Sequence, residues 1–469
     1  MTGRPTTGGG LGAKLRALRT HLDRSLFRSA PSGETRIGGW KGALLVVAML
    51  ALAIVLQLFR VGPSNALHSL WAEDGEIFLQ GALNSAFWHD VFATYAGYLV
   101  LVPRLIAEAA NLFPLRDIPA AFAIISGSVV ALSGLAVWFA SAAHIRSPFL
   151  RGTLVALTIL CPVASLEAVA SASYVLWYML FASFWLLIWR PASTRGAVLG
   201  GVFILLTGLS SPGLWFFAPL AGLRALAIRD RRDLILVGAY AAGAAAQVPV
   251  VALNTEAAVE PLWTSDIWTA FLQRILDGAA LGERAGGQAW QHLGWPFLIV
   301  LLIGCVAALA YGALHSNASA RWFAAIAIPT SLAMFVVSVY QRAVGAQMIW
   351  PAGSHAAGGG RYAIVPALLL ASVALVLVDR AARRRGAGEV PWIGIAVSVV
   401  LLLGIATSFD VEDTPNRGTP PWEDALRSAA ASCRSEGLSE VAVATSPPRF
   451  GVVIPCERLS SFSDAPAAR

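Results

Sequence analysis

Apolar stretches near the ~20 residues that a helix needs to cross a bilayer recur along almost the whole chain, and arginines cluster in alternate gaps between them. This pattern constrains the fold more than any motif does. With 57% hydrophobic and only 13% charged residues, against roughly 25% charged in soluble domains, the chain reads as an all-α polytopic membrane protein with about eleven spans. They lie near 41–60, 119–143, 152–166, 175–189, 196–210, 213–228, 233–253, 293–314, 322–340, 361–379 and 391–408, several of them short or interrupted by Pro162, Pro219 and Pro249. The positive-inside rule sets the orientation. Arg4, Lys14, Arg16, Arg19, Arg24, Arg28, Arg36 and Lys41 put the N-terminus in the cytoplasm. The clusters Arg146/Arg151, Arg190/Arg195, Arg229/Arg231/Arg232 and Arg380/Arg383/Arg384/Arg385 fall on the same side. An odd number of spans then sends the C-terminus out. The stretch 88–113 carries Arg104 and Glu108 among apolar residues and is read as an interfacial or partly inserted helix, because one more span would invert every later arginine cluster.

Three regions follow. Residues 1–40 form a basic cytoplasmic tail, amphipathic or disordered, in which Leu11, Leu15, Leu18, Leu22 and Leu26 make an apolar stripe suited to an anionic leaflet. Residues 41–408 form the transmembrane domain, with outer loops 61–118, 254–292 and 341–360. Residues 409–469 form a small extracytoplasmic α/β tail: a helix starting near Pro421-Trp422, then short strands at Val441-Ala-Val-Ala and Val452-Val-Ile. Cys161 and Cys305 sit in apolar spans as packing residues. Cys433 and Cys456, with 22 residues between them, would staple the tail by a disulfide in an oxidising compartment. A two-cysteine metal site lacks companion ligands. Asn317-Ala-Ser319 fits a glycosylation acceptor but falls on an inner loop. The net charge of +7 is spent on the inner-face arginines and does not imply nucleic acid.

The chemistry collects on the outer side. Ala72-Glu73-Asp74-Gly75 sets two adjacent carboxylates just past the first span, in a chain that otherwise avoids charge. An Asp-Gly pair is usually a turn, but two acids on an outer lip would also bind a cation or take a proton from a hydroxyl. The same side holds Tyr95, Tyr98, Arg104, Glu167, Ser173, Tyr174, Trp177, Arg342, His355 and Arg361. Carboxylates, arginines and aromatics are a mixture that binds sugars. Interfacial belts account for many of the Trp and Tyr residues, and Arg104 or Arg361 at an interface would also serve as snorkelling anchors.

Trp71-Ala-Glu73-Asp74-Gly75, followed by Tyr95-Ala-Gly97-Tyr98, Val102-Pro103-Arg104-Leu105, Ser173-Tyr-Val-Leu-Trp177-Tyr178 and Gly359-Gly-Arg361-Tyr362, resembles the actinobacterial-type membrane enzymes of the GT-C glycosyltransferase superfamily, which carry an acid in the first outer loop. The resemblance covers roughly 40–460. It implies a GT-C-like hexosyl- or pentosyltransferase of the plasma membrane. Such an enzyme moves a sugar from a polyprenyl-monophosphate carrier to an envelope glycan or protein acceptor. Asp74 would be the base and Glu73 its orienting neighbour. Arg104, Arg342 and Arg361 would compensate the phosphate, while Tyr98, Glu167 and Trp177 would hold the sugar or acceptor. The sequence identifies no cofactor besides the polyprenyl-phosphate sugar donor; a divalent metal bridging carboxylate and phosphate is compatible, although no ligand cluster is evident. Two rival readings are a flippase or transporter of lipid-linked glycans, which would want ionisable residues within spans and an inverted repeat, and a polymerase or ligase of diphosphate-linked glycans, which would want Arg and His in a large late outer loop. A structural envelope protein explains the least.

Overall fold

The computed structural model describes residues 11–30, 39–164, 169–254, 260–349, 359–384, 392–410 and 420–462. The chain opens with helix α1 (Leu11–Ser25) and α2 (Gly39–Val61), then the short α3 (Pro63–His68), α4 (Gln80–Asn84) and α5 (Phe87–Val91). A two-residue-stranded hairpin, β1 (Thr94–Tyr95) and β2 (Tyr98–Leu99), leads into α6 (Leu101–Ala110). Next come α7 (Ile118–Ser141), α8 (Pro148–Ile159), α9 (Val175–Ile188), α10 (Thr194–Gly208), α11 (Ala218–Leu226) and α12 (Arg231–Ala252). Then follow α13 (Asp266–Phe271), α14 (Gly278–His315), α15 (Ala318–Gln341), α16 (Arg361–Arg384) and α17 (Trp392–Thr407). The tail is α18 (Trp422–Glu436) with the antiparallel pair β3 (Glu440–Ala444) and β4 (Gly451–Pro455).

Among the described residues, 6 helical segments are long and apolar enough to cross a membrane, and α8, α9 with the turn before it, α10 and α17 are shorter apolar helices. The physical division is between inner and outer helices. α9 is apolar all round and buries nearly its whole length, including Phe181, Phe184 and Trp185, as a helix at the centre of a bundle should. α16 is buried in the same way from Ala363 to Leu369. By contrast α2 turns Trp40, Leu44, Leu45, Val47 and Phe59 outward, and α14 turns Val300 and Ile303 outward. Such surfaces are stable only under lipid, so the chain is a membrane protein. Small residues let helices touch: a Cβ on Gly208 of α10 would lie 2.7 Å from the Cα of Gly243 of α12, the close approach common between membrane helices.

Two predicted boundaries move. The 88–113 segment is not one interfacial helix: α5, the hairpin and α6 divide it, because Ala96 and Gly97 take positive φ (52° and 83°) and close a tight reversal of the kind that primed hairpin turns use. The segment 260–292, expected as loop, is largely helical, and α14 starts well before 293. α14 is broken at Gly282 (φ 78°) and Gly294 (φ 56°), conformations glycine adopts without penalty.

Helix ends sort into two groups. At one end α1 docks, burying Leu22 and Leu26 together with Phe27 just beyond it. Asp23 there pairs with Arg190 and with Arg229, and Ser319 donates to the Ser25 carbonyl at 2.6 Å. The apolar stripe of the second half of α1 thus faces protein rather than a leaflet, pinned by Asp23. Asn317 caps α15, accepting from the Ala320 N–H at 3.1 Å. At the opposite end the tail packs on the first loop: the Trp422 indole donates to the Leu115 carbonyl at 2.7 Å, and Arg458 donates to Asn111 at 3.0 Å. Cys433 and Cys456 are bonded, tying α18 to the segment after β4.

Candidate active site

The acid-bearing segment is held from two sides. On one side it pairs with the tail. The Ala72 N–H donates to the Ser446 carbonyl at 2.7 Å and the Ser446 N–H to the Leu70 carbonyl at 2.8 Å. A turn later, Gln80 accepts from the Val453 N–H at 2.6 Å and donates back to the Val453 carbonyl at 3.3 Å. Residues Asp74–Leu79 form a π-helical turn, a geometry frequent at functional sites. Gly75 lies within that turn rather than in a loop reversal: a Cβ there would run into Thr445 of the tail. Glycine is needed at this position for close packing, so the Asp-Gly pair is not a turn signal here.

On the other side Asp74 takes hold of the segment before α9. Its Oδ1 accepts from the Ser173 N–H at 2.9 Å and the Ser173 hydroxyl at 2.6 Å, and its Oδ2 from the Ala172 N–H at 3.1 Å. Asp74 is 2% exposed. Burial pushes its carboxyl up to about 6, and the Ser173 and Ala172 donors pull against that. It is therefore ionised at neutral pH and saturated on the Ser173 side. Ala170, two residues before this anchor, takes a positive φ of 56°, a strained conformation for a residue with a Cβ.

Glu73 faces elsewhere. Its Oε1 accepts from the Tyr174 hydroxyl at 3.1 Å, and that hydroxyl accepts in turn from Arg361 Nη1 at 2.8 Å. The Arg361 guanidinium lies over the rings of Tyr174 and Tyr362, 5.1 Å and 5.0 Å from their centroids. Trp177 meets Tyr362 edge-on with centroids 5.6 Å apart. Glu73 Oε2 is buried and has no hydrogen-bond partner among the described residues. The hairpin brings in two more hydroxyls: Tyr95 and Tyr98 lie within electrostatic reach of Glu73, Arg361 and Arg342. Burial first, and then the Glu73 charge, push the Tyr95 hydroxyl up to about 12, so it stays a neutral donor. Arg342 is exposed and reaches the Ala96 carbonyl at 3.5 Å.

Glu73, Tyr98, Trp177, Arg342 and Arg361 thus come together from five separate stretches of sequence. Glu167 and His355 lie outside the described residues. Arg104 is engaged elsewhere. Its Nη1 pairs with Asp90 at 2.5 Å, its Nε donates to the Ala93 carbonyl at 2.8 Å and its Nη2 to the Thr94 carbonyl at 3.3 Å. All three nitrogens are occupied in holding the strand that carries Tyr95. Replacing Arg104 by Ala leaves Asp90 buried without its cation, which typically costs about 3–5 kcal/mol. We expect a large drop in the melting midpoint of Arg104→Ala, partly recovered in the Arg104→Ala/Asp90→Ala double variant. An unchanged midpoint with lost donor affinity would return Arg104 to phosphate binding. Among the described residues no group of three His, Cys, Asp or Glu side chains is placed to hold a metal.

Comparison with solved structures finds the oligosaccharyltransferase of Archaeoglobus fulgidus. In its apo form it aligns with a TM-score of 0.42 and 12% identity over 83% of this chain and 58% of its own. In complex with an inhibitory peptide and a dolichol-phosphate the values are 0.39, 14%, 84% and 58%. Tethered with an acceptor peptide containing the NVT sequon they are 0.39, 13%, 84% and 58%. The chain therefore spans little more than half the length of the archaeal enzyme. No protein-family model and no curated protein matches it.

Sequence reasoning did not assign roles to Tyr174, Tyr95 and Tyr362, or to Ser446 and Thr445. Tyr174 carried a legible signal, since it follows the Ser173 that binds Asp74. The tail residues carried none, because a backbone bridge uses no side chain.

Proposed function

We propose that this protein is a GT-C-type membrane glycosyltransferase that moves a sugar from a polyprenyl-phosphate carrier to a hydroxyl of an envelope glycan or protein. The observation that carries the reading is Glu73: a carboxylate with one oxygen fixed by Tyr174 and the other buried without a partner among the described residues, at the edge of a cluster in which Tyr174 binds Arg361 and Trp177 meets Tyr362. The acceptor oxygen attacks the anomeric carbon as its proton passes to Glu73 Oε2, a general-base step. The bond from that carbon to the phosphate oxygen breaks, through the oxocarbenium-like transition state of glycosyl chemistry. The products are a new glycosidic bond, the free polyprenyl phosphate and a protonated Glu73, which returns its proton to water. Arg361 and Arg342 offset the charge gathering on the phosphate. In this reading Glu73 and Asp74 exchange the roles expected from sequence: Asp74, already bound by three donors, positions the 172–174 segment, and Glu73 acts as the base.

The two ends of the molecule support the orientation. The acids and the disulfide-bonded tail share one end, proposed as extracytoplasmic, and the arginine-rich loops and α1 share the other, proposed as cytoplasmic. A Cys placed at Glu76, which is exposed, should then react with an impermeant maleimide from outside, and one at Arg16 should not. For the activity, the purified protein is given polyprenyl-phosphate sugar, and release of polyprenyl phosphate is followed. In parallel, envelope glycans and lipid-phosphate sugars are profiled in a strain lacking the protein. Donor accumulation with a shortened or missing glycan is expected. Unchanged glycans and no release of polyprenyl phosphate would refute the reading.

A further inference from the structure

Arg60, in the last turn of α2, is 1% exposed. Its Nη2 donates to the carbonyls of Ala164 at 3.0 Å and Ser408 at 3.3 Å, while Nε and Nη1 are buried with no hydrogen-bond partner among the described residues. A buried cation with unused donors is costly in a protein interior. Among the described residues no carboxylate pairs with it directly. Glu283 lies within electrostatic reach of Arg60, but that carboxylate is already bound by Arg274 at 2.8 Å. The node is built with care all the same. The break at Gly282 lets α14 come so close to the end of α17 that a Cβ there would run into the Ser408 hydroxyl, and that hydroxyl accepts the Glu283 N–H at 2.8 Å. Three helix segments therefore close on a guanidinium that, among the described residues, has no carboxylate bonded to it.

Its position ties it to the site already described. Tyr178 lies within electrostatic reach of Arg60, and Tyr174, which binds Glu73 and Arg361, precedes it by four residues, about 6 Å along a helix. A bland role also exists: Arg60 ends the carbonyl rows of two neighbouring segments, which its Nη2 alone accomplishes.

We propose that the free donors of Arg60 receive the phosphate of a lipid headgroup, near Tyr178 of the helix whose leading segment binds Glu73 and Asp74. That the lipid is the sugar carrier rests on the transferase reading; that the ligand is a lipid-borne phosphate rests on Arg60. The chemistry calls for such a group. A sugar phosphodiester carries one negative charge, and the phosphomonoester left after transfer carries up to two, so a second buried cation becomes useful as the bond breaks.

The test uses the full chain in phosphatidylcholine nanodiscs, with polyprenyl phosphate, polyprenol and inorganic phosphate as probes, and affinity read by native mass spectrometry. Arg60→Gln should bind polyprenyl phosphate about 10–100-fold more weakly, the range for losing hydrogen bonds to a charged group. It should bind polyprenol as the wild type does. Arg60→Lys, which keeps the charge, should fall between them and serves as the readout if the Gln variant does not fold. Equal loss for polyprenol and polyprenyl phosphate, or unchanged affinity in both variants, would overturn the proposal. So would inorganic phosphate displacing the lipid phosphate at comparable concentration, because the site would then be one for the free anion. The two readings separate cleanly. Sugar transfer that survives Arg60→Gln with unchanged donor affinity sinks only the Arg60 assignment. Arg60-dependent binding of polyprenyl phosphate without any transfer from a sugar donor sinks only the transferase.

Discussion

Glu73→Gln should lower the rate of sugar transfer by about 10²–10⁴-fold, the usual cost of a lost general base, with little change in melting midpoint or in donor affinity. The amide keeps the shape and still accepts from Tyr174, but it cannot take a proton. Asp74→Asn should behave differently. Its oxygen can still face Ser173, but its NH₂ then points at the Ala172 N–H, donor against donor, so the 172–174 segment loosens and activity and stability fall together. The pH dependence adds a second signature. The folded carboxyl of Asp74 is raised to about 6 from an ordinary 3.8, so its contribution to stability is full below about pH 4 and is lost as pH climbs through 6. The stability gap between wild type and Asp74→Asn should therefore narrow between pH 4 and 7. Single-turnover rates and melting curves on the two variants decide the assignment. If Asp74→Asn kills transfer with an unchanged midpoint while Glu73→Gln stays active, the acids have been assigned the wrong way round.

Removing the tail should be as damaging as removing the base. Truncation after 410 deletes Ser446, Thr445 and Val453, which hold the backbone at 70–72, pack on Gly75 and clamp Gln80. Displacing catalytic groups by about 1 Å can cost ~10²-fold, so transfer should fall by at least that factor while the membrane domain still inserts. Cys433→Ser/Cys456→Ser is the milder form. Opening a disulfide with a sequence separation of 23 typically costs ~3 kcal/mol, so the loss of activity should deepen on warming. Full activity in the truncated protein would show that the acid segment holds its own geometry.

The membrane class of this chain was legible from apolar stretches alone, because a bilayer-crossing helix must satisfy its backbone internally and present apolar side chains all round. The tail helix and its two strands were equally legible, since local periodicity and the Pro-Trp start act over a few residues. Glu73, Tyr98, Trp177, Arg342 and Arg361 could be picked out as a group because charge is scarce in such a chain and these charges lie beside aromatics in the loops expected on one side.

Only tertiary structure decided what each residue touches. Glu73 and Asp74 are neighbours of like chemistry in the sequence, and nothing local tells them apart. The difference arises because Asp74 meets three donors from the segment before α9 while Glu73 meets one hydroxyl, that of Tyr174. Arg104 reads in the sequence as a phosphate ligand, and only the fold pairs it with Asp90, 14 positions away. Gly75 looked like a turn until Thr445 filled the space a side chain would need. Hydropathy is a property of each stretch by itself, whereas hydrogen-bond satisfaction and close packing belong to pairs brought together across the fold, in the last case across more than 300 residues of chain.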